Sequence, residues 1–232
     1  MIIEQHNGIL VLRDDLLLGG TKSIFIQQLL NPTAKQFVYA SPVYGGFQIA
    51  LSAICQHIGK KAIIFCAKRK NPHANTLRCE QLGAEIHQVN AGYLSVVTAK
   101  AKEYCRLVPD SELLPFGANS ELAINAIATR CRLLIATIGV EPDTIVCAVG
   151  SGTLLQGILR GTTTSKVIGV QVGKECSVAH PRFTRYVYPK PFEKESSCNS
   201  PFPSCSNYDL KAWEVLNDLQ PIPGVTVFWN VM

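Results

Sequence analysis

No stretch of 18 consecutive apolar residues occurs in this 232-residue chain, so a membrane-spanning helix is not expected. The opening residues, Met1 to Asn7, carry Glu4 and no Lys or Arg, which argues against a signal peptide. The nine cysteines (Cys55, Cys66, Cys79, Cys105, Cys131, Cys147, Cys176, Cys198 and Cys205) form an odd set without a CxxC pair. They therefore suggest neither a thiolate zinc site nor a disulfide framework. Most lie in apolar runs, where a thiol behaves as a small hydrophobe, and a reduced cytoplasm is the expected setting. His6, His57, His73, His87 and His180 show no metal-ligand spacing, so no metal is expected. Charge is sparse at 17%, and the excess of Lys and Arg over Asp and Glu, 22 against 17, is thin. Because the basic residues are spread along the sequence, nucleic acid is not the expected partner. What the chain does have is apolar content, 47%, with a mean hydropathy of +0.15. That is enough for a substantial core in one ordinary domain or two small lobes.

From Lys35 onward, short β-branched runs alternate with longer amphipathic segments. The pattern predicts strands over residues 36–40, 62–67, 85–89, 144–149, 167–172 and 225–229. Helices are expected over 47–58, up to Gln81, and over 95–106, 121–138, 153–159 and 208–219. Strands separated by helices imply an α/β fold with mostly parallel sheets flanked by helices. Residues 177–207 break the rhythm with five of the 13 prolines, and read as a lid, an active-site loop or a surface excursion.

Two glycine-rich turns carry the candidate chemistry. The first runs from Arg13-Asp14-Asp15 through Gly19-Gly20-Thr21-Lys22-Ser23 into a short helix ending near Leu30. Lys22 at a helix start faces the positive end of the macrodipole, which favours the free amine. An ordinary exposed lysine is the alternative, and Asp14 and Asp15 serve either to order the loop or as a simple turn. This is not a phosphate-binding Gly-Lys-Ser loop, since Thr21 stands in the glycine position. The second turn, Gly150-Ser151-Gly152-Thr153 with Gly157, follows an apolar strand and opens a helix. Its N–H groups and hydroxyls suit a phosphate. Its glycine spacing does not meet the dinucleotide pattern, so a tight structural turn is the alternative.

Together these segments resemble the pyridoxal-phosphate enzymes of fold type II, the tryptophan-synthase-β-like superfamily. The chain is most similar to the D-cysteine desulfhydrase and 1-aminocyclopropane-1-carboxylate deaminase branch, in a shortened form. Arg13-Asp14-Asp15 with Gly19-Gly20-Thr21-Lys22 resembles the segment whose lysine forms the internal aldimine, and Gly150 to Thr153 resembles the phosphate loop. Residues 50–65, Leu82-Gly83-Ala84-Glu85-Ile86 and Leu114 to Ser120 are similar to connecting segments of the branch.

The resemblance implies two lobes: a larger cofactor lobe of residues 1–40 and 119–232, and a smaller substrate lobe of residues 41–118. It implies pyridoxal 5'-phosphate as cofactor, carried by Lys22 as the catalytic residue and held by Gly150, Ser151, Gly152 and Thr153. Ser41, Tyr44, Gly45, Gly46 and Gln48 would surround the substrate carboxylate. The early and late glycine turns would then open toward one crevice. The implied activity is a lyase or deaminase acting on a small amino acid, in a homodimer. The alternatives are β-replacement, a specialised enzyme for a larger or polymer-linked amine, and a noncatalytic phosphate-ligand or interaction protein.

The sequence departs from the branch in three places. Residues 41–48 lack the family's asparagine, leaving Tyr44 or Gln48 as polar substitutes. Ser23, Ile24 and Phe25 replace the basic residues that usually follow the lysine. Most of the shortening falls after Val172, in the region that normally supplies the partner of the pyridine nitrogen. Thr226 and Asn230 are available there; neither is a carboxylate, an arrangement expected to weaken electron withdrawal and to favour elimination or replacement.

Overall fold

A computed structural model of the chain describes residues 1–90, 92–173 and 175–232. In order, the elements are β1 (Ile3–His6), β2 (Ile9–Arg13), α1 (Ser23–Leu29), β3 (Gln36–Ser41), α2 (Phe47–His57), β4 (Lys61–Ala67) and α3 (Ala74–Gln81). There follow β5 (Glu85–Val89), α4 (Leu94–Leu107), β6 (Ser111–Leu113), α5 (Glu121–Ile138), β7 (Thr144–Val149) and α6 (Thr153–Gly161). The last elements are β8 (Lys166–Gln171), β9 (Phe183–Val187), α7 (Asp209–Asp218) and β10 (Thr226–Asn230). Short 3-10 turns cover Asp14–Leu16, Gly20–Lys22 and Phe116–Ala118.

The chain divides into two compact units, Met1–Thr21 with Asn119–Met232, and Lys22–Ala118. The first boundary falls at Lys22 and not at Ser41, because β3 pairs with β4 and β6 and so belongs to the second unit's sheet. The first unit is built on a six-stranded sheet, β1-β2-β10-β7-β8-β9, parallel except for the β1–β2 pair. The second has four parallel strands, β5-β4-β3-β6.

Central parallel strands covered on both faces should read as unbroken apolar runs. Strands β7 (TIVCAV) and β10 (TVFWN) are buried at every position. One face of the larger sheet packs Phe228 on Trp213 of α7, with ring centroids 5.2 Å apart, and Phe202 closes the cluster at 4.9 Å from Trp213. Each such side chain withdrawn from water contributes about 1.5–3 kcal/mol.

Helix α5 is started by Ser120, whose Oγ accepts from the Ala123 N–H at 3.2 Å, and it buries the stripe Ala123, Ile124, Ile127, Ala128, Cys131 and Leu134. Helix α6 lies close against it at Gly157, where a Cβ would stand 2.4 Å from the Ile127 Cβ.

Four strands escaped the sequence pattern. The hairpin β1–β2 turns at Asn7-Gly8, a dipeptide that signals such turns. Strand β6 is only three residues long. Strand β9 lies inside the proline-rich stretch, pairing in parallel with β8 at the sheet edge. The rest of that stretch is tied down and is not a loose excursion. Tyr188, Ser196 and Phe202 are buried, the Tyr188 and Ser196 hydroxyls both donate to Glu214 Oε2 at 2.6 Å, and Lys211 Nζ donates to the carbonyls of Pro191 and Phe192.

Candidate active site

In parallel α/β sheets, ligands gather at the carboxyl ends of the strands. In the first unit that edge carries the turn from β7 into α6. Gly152 takes φ +86°, and a Cβ there would meet Val178 and Cys176 at 3.2 and 3.3 Å, so only glycine suits the position. It also leaves the first turn of α6 without a side-chain cap. Those N–H groups are the natural donors for an anion. Ser151 Oγ and Thr153 Oγ1 lie 3.0 Å apart beside them, Ser151 exposed and Thr153 buried. Gln171 braces the turn from behind, donating from Nε2 to the Val149 carbonyl at 3.0 Å and accepting from the Cys176 N–H at 3.2 Å.

Tyr208 and Asp209, just ahead of and at the start of α7, complete this edge. A Cβ on Gly150 would stand 3.3 Å from the Tyr208 ring. Asp209 is fully buried, and its Oδ2 accepts from the Met232 N–H at 3.1 Å. Burial, and then the Asp209 charge, push the Tyr208 hydroxyl far above its ordinary pKa, and the same two causes raise the Cys147 thiol on β7. The sequence pattern predicts only a helix start here. The available signal was a carboxylate, Asp209, within an apolar helical pattern directly after an irregular stretch.

Of the two residues nominated for the ring nitrogen, the register separates one from the other. Thr226 pairs with Thr144 at the amino end of β7, five residues from Val149, so it stands at the far edge of the sheet from the Gly150 turn. Asn230 is at the correct edge, paired with Arg13, but its amide is used to hold the 203–204 segment: Oδ1 accepts from Ser204 Oγ at 2.9 Å and Nδ2 donates to the Pro203 carbonyl at 2.8 Å.

The segment preceding Lys22 is anchored at this same edge. Gly20 lies so close to the Val231 carbonyl that a Cβ would come within 2.2 Å, and the Thr21 N–H donates to that carbonyl at 3.1 Å. Beneath it Asp14, fully buried, accepts from Thr21 Oγ1 and Trp229 Nε1, each at 3.1 Å, and from the Arg130 guanidinium. Arg13 forms two parallel 2.8 Å bonds to Asp15 and a third to Glu4. The acidic pair thus orders the turn, one of the two roles considered for it. Lys22 itself is half-buried and peptide-bonded to the anchored Thr21.

In the second unit, Tyr44, Gly45 and Gly46 lie in the loop at the carboxyl end of β3, between Ser41, the last residue of β3, and Gln48 in the first turn of α2. Gln48 is fully buried and organises it, with Nε2 donating to the carbonyls of Pro42, Val43 and Gly45 at 3.3, 2.9 and 2.9 Å. Tyr44 packs edge-on against His73 of the neighbouring loop, with centroids 4.7 Å apart.

Comparison with known proteins decides what these parts belong to. Residues 24–227 match the model of the pyridoxal-phosphate dependent enzymes. The chain belongs to that family. Lys22 lies just ahead of the matched residues. A glycyl-dTMP PLP-dependent decarboxylase of Pseudomonas phage M6 is 26% identical, with 78% of this chain and 76% of that protein covered. The fold is similar to that of an ACC deaminase homologue, with a TM-score of 0.81, 20% identity, and 96% of this chain and 83% of that chain covered. A hydrogen sulfide-producing enzyme from Fusobacterium nucleatum superposes with a TM-score of 0.72 at 12% identity, over 99% and 92% of the two chains. Family membership implies pyridoxal 5'-phosphate, and the residues present fit it. A glycine turn with uncapped N–H groups suits a phosphate, a primary amine follows an anchored turn, and a buried carboxylate, Asp209, follows the tyrosine that packs on the glycine turn. Among the described residues no cluster of three or more metal-ligating side chains occurs, and no helix is long and apolar enough to cross a membrane.

Proposed function

We propose that this protein is a pyridoxal-phosphate-dependent lyase that removes the carboxylate from an amino acid carried on a nucleotide. The observation that carries the reading is Asp209, a fully buried carboxylate next to the residue that packs on the phosphate turn. When bound, the cofactor supplies an electron sink for the pair released at the substrate's Cα. Asp209 would hold a proton at the ring nitrogen, which would strengthen that sink and suit loss of carbon dioxide better than replacement chemistry. Gly150, Ser151, Gly152 and Thr153 would bind the phosphate, and Lys22 would carry the cofactor and move a proton to or from the substrate's Cα. The loop of Ser41, Tyr44, Gly45, Gly46 and Gln48 receives the substrate carboxylate. The decarboxylase of phage M6 supports both the reaction and the nucleotide-borne substrate. Deamination of a small amino acid is the second reading, supported by the resemblance of the Arg13 to Lys22 segment to the deaminase branch.

The purified protein should show a near-visible absorbance band that borohydride reduction fixes to Lys22. Lys22→Ala should abolish the band and lower turnover about a thousandfold or more. Carbon dioxide released from glycyl-dTMP supports decarboxylation, whereas keto acid and ammonia from small amino acids support the second reading. A colourless protein whose cofactor affinity is unchanged by Lys22→Ala sinks both.

A further inference from the structure

The positive charge of this protein resides in one unit. Lys22–Ala118 carries 11 Lys and Arg against 5 Asp and Glu, a net of +6; the remainder carries 11 against 12, a net of −1. The sequence reading, averaging along the chain, saw only a thin excess.

Within the second unit the charge is also sorted by position. At the amino edge of the sheet Lys35 is paired to Asp110 and Lys61 to Glu85, which also meets His87, while Lys60 donates to the carbonyls of Pro32 and Ala34. On α4, Lys100 pairs with Glu103, while Glu112 of β6 accepts from the Asn31 N–H and Glu80 sits on α3. The carboxyl edge is different. Lys68, Arg69 and Lys70 follow β4 directly, all three exposed, and among the described residues none of them is in an ion pair. Because Ser41 pairs with Cys66 in register, this run emerges beside the substrate loop, and the Tyr44–His73 contact joins the two loops. The same edge carries Tyr93, 80% exposed, after β5, whose Val89 pairs with Ala67.

Three adjacent cations outside any ion pair, at a sheet edge that also carries an exposed aromatic ring, are a combination that binds single-stranded nucleic acid: the cations take the phosphates and the ring stacks a base. We infer that Lys68, Arg69, Lys70 and Tyr93 form a binding surface for single-stranded DNA, so that the amino acid acted on is borne by a nucleotide within a polymer. The inference rests on the reading of the site as one for a nucleotide-borne amine, and it deepens that reading by naming the substrate as the strand.

The test is fluorescence anisotropy of the holoenzyme with a labelled oligodeoxythymidylate across a salt series. Three phosphate contacts on a single strand predict a log–log salt slope of about −2 from these residues. The triple variant Lys68→Gln, Arg69→Gln, Lys70→Gln should remove that slope and raise Kd about tenfold or more. Tyr93→Ala should raise Kd about tenfold with the slope unchanged. Lys166→Gln, Lys190→Gln, Lys194→Gln in the other unit should leave binding as in the wild type, and all variants should retain the near-visible band. Failure to bind the oligonucleotide at low salt overturns the inference. So does a triple variant that binds like the wild type, an equal loss from the control variant, or free dTMP binding as tightly as the strand. A protein that shows the band and releases carbon dioxide but ignores the strand loses this inference alone. One that binds the strand through these residues but never takes up cofactor keeps the surface and loses the enzymatic reading.

Discussion

The two units shape the carboxyl edges of their sheets by opposite means. The first uses buried and half-buried ions that neutralise one another: Arg13 with Asp15 and Glu4, and Asp14 with Arg130, Asp14 also accepting from Thr21 and Trp229. The second uses one neutral amide, Gln48, to gather three carbonyls, and leaves its cations in water. Buried ion pairs are costly to desolvate and permit few alternative geometries, so they suit a group held in one fixed place. An amide with an exposed basic rim costs less to rearrange, which suits a loop that admits and releases substrate.

Removing a member from each arrangement tests this contrast, and the largest effect is expected from Asp14. Asp14→Ala leaves Arg130, the Trp229 N–H and the Thr21 hydroxyl without their acceptor, and should lower unfolding free energy by about 3–5 kcal/mol in denaturant titration. A loss under about 1 kcal/mol would class the network with solvent-screened pairs and erase the contrast. Next comes Gln48→Leu, expected to cost about 1–3 kcal/mol as three carbonyls lose their donor. Hydrogen exchange should quicken at residues 42–46 and not around 150–153, with KM raised and kcat little changed. Equal loosening of both turns would show that the units are not independently organised.

The smallest effect sharpens the picture of the first unit away from its site. Glu141 is opposed by burial, but hydrogen bonds from Thr163, Thr164 and Ser165 outweigh that and hold its carboxyl well below the usual range. A lowered folded-state pKa means its stabilisation is present above the unfolded value of 4.5 and is lost as pH falls through the folded value. Glu141→Gln should therefore cost about 1 kcal/mol near neutral pH, with the difference from wild type shrinking in acid.

Much of this molecule was readable residue by residue. The strands 85–89 and 144–149 and the helix 121–138 have the bounds expected, 144–149 as a continuous apolar run and 121–138 as a regular stripe. The edge strand β9 was not readable, because Thr184 and Arg185 interrupt its apolar pattern and prolines flank it. The glycine turn at 150–153 was legible because local backbone geometry alone demands glycine at 152. Asp209 was not, since a carboxylate in a helical pattern looks the same whether it faces water or the protein interior.

Sequence alone determined the α/β alternation, the two glycine turns and the lysine beside one of them, all consequences of short-range geometry. Tertiary structure decided which residues separated by long stretches of chain share a sheet edge. It set Thr226 at the far end from the Gly150 turn, and brought Asp14 to Trp229 and Tyr208 to Gly150. Strand register and burial act between distant parts of the chain, so no local pattern encodes them.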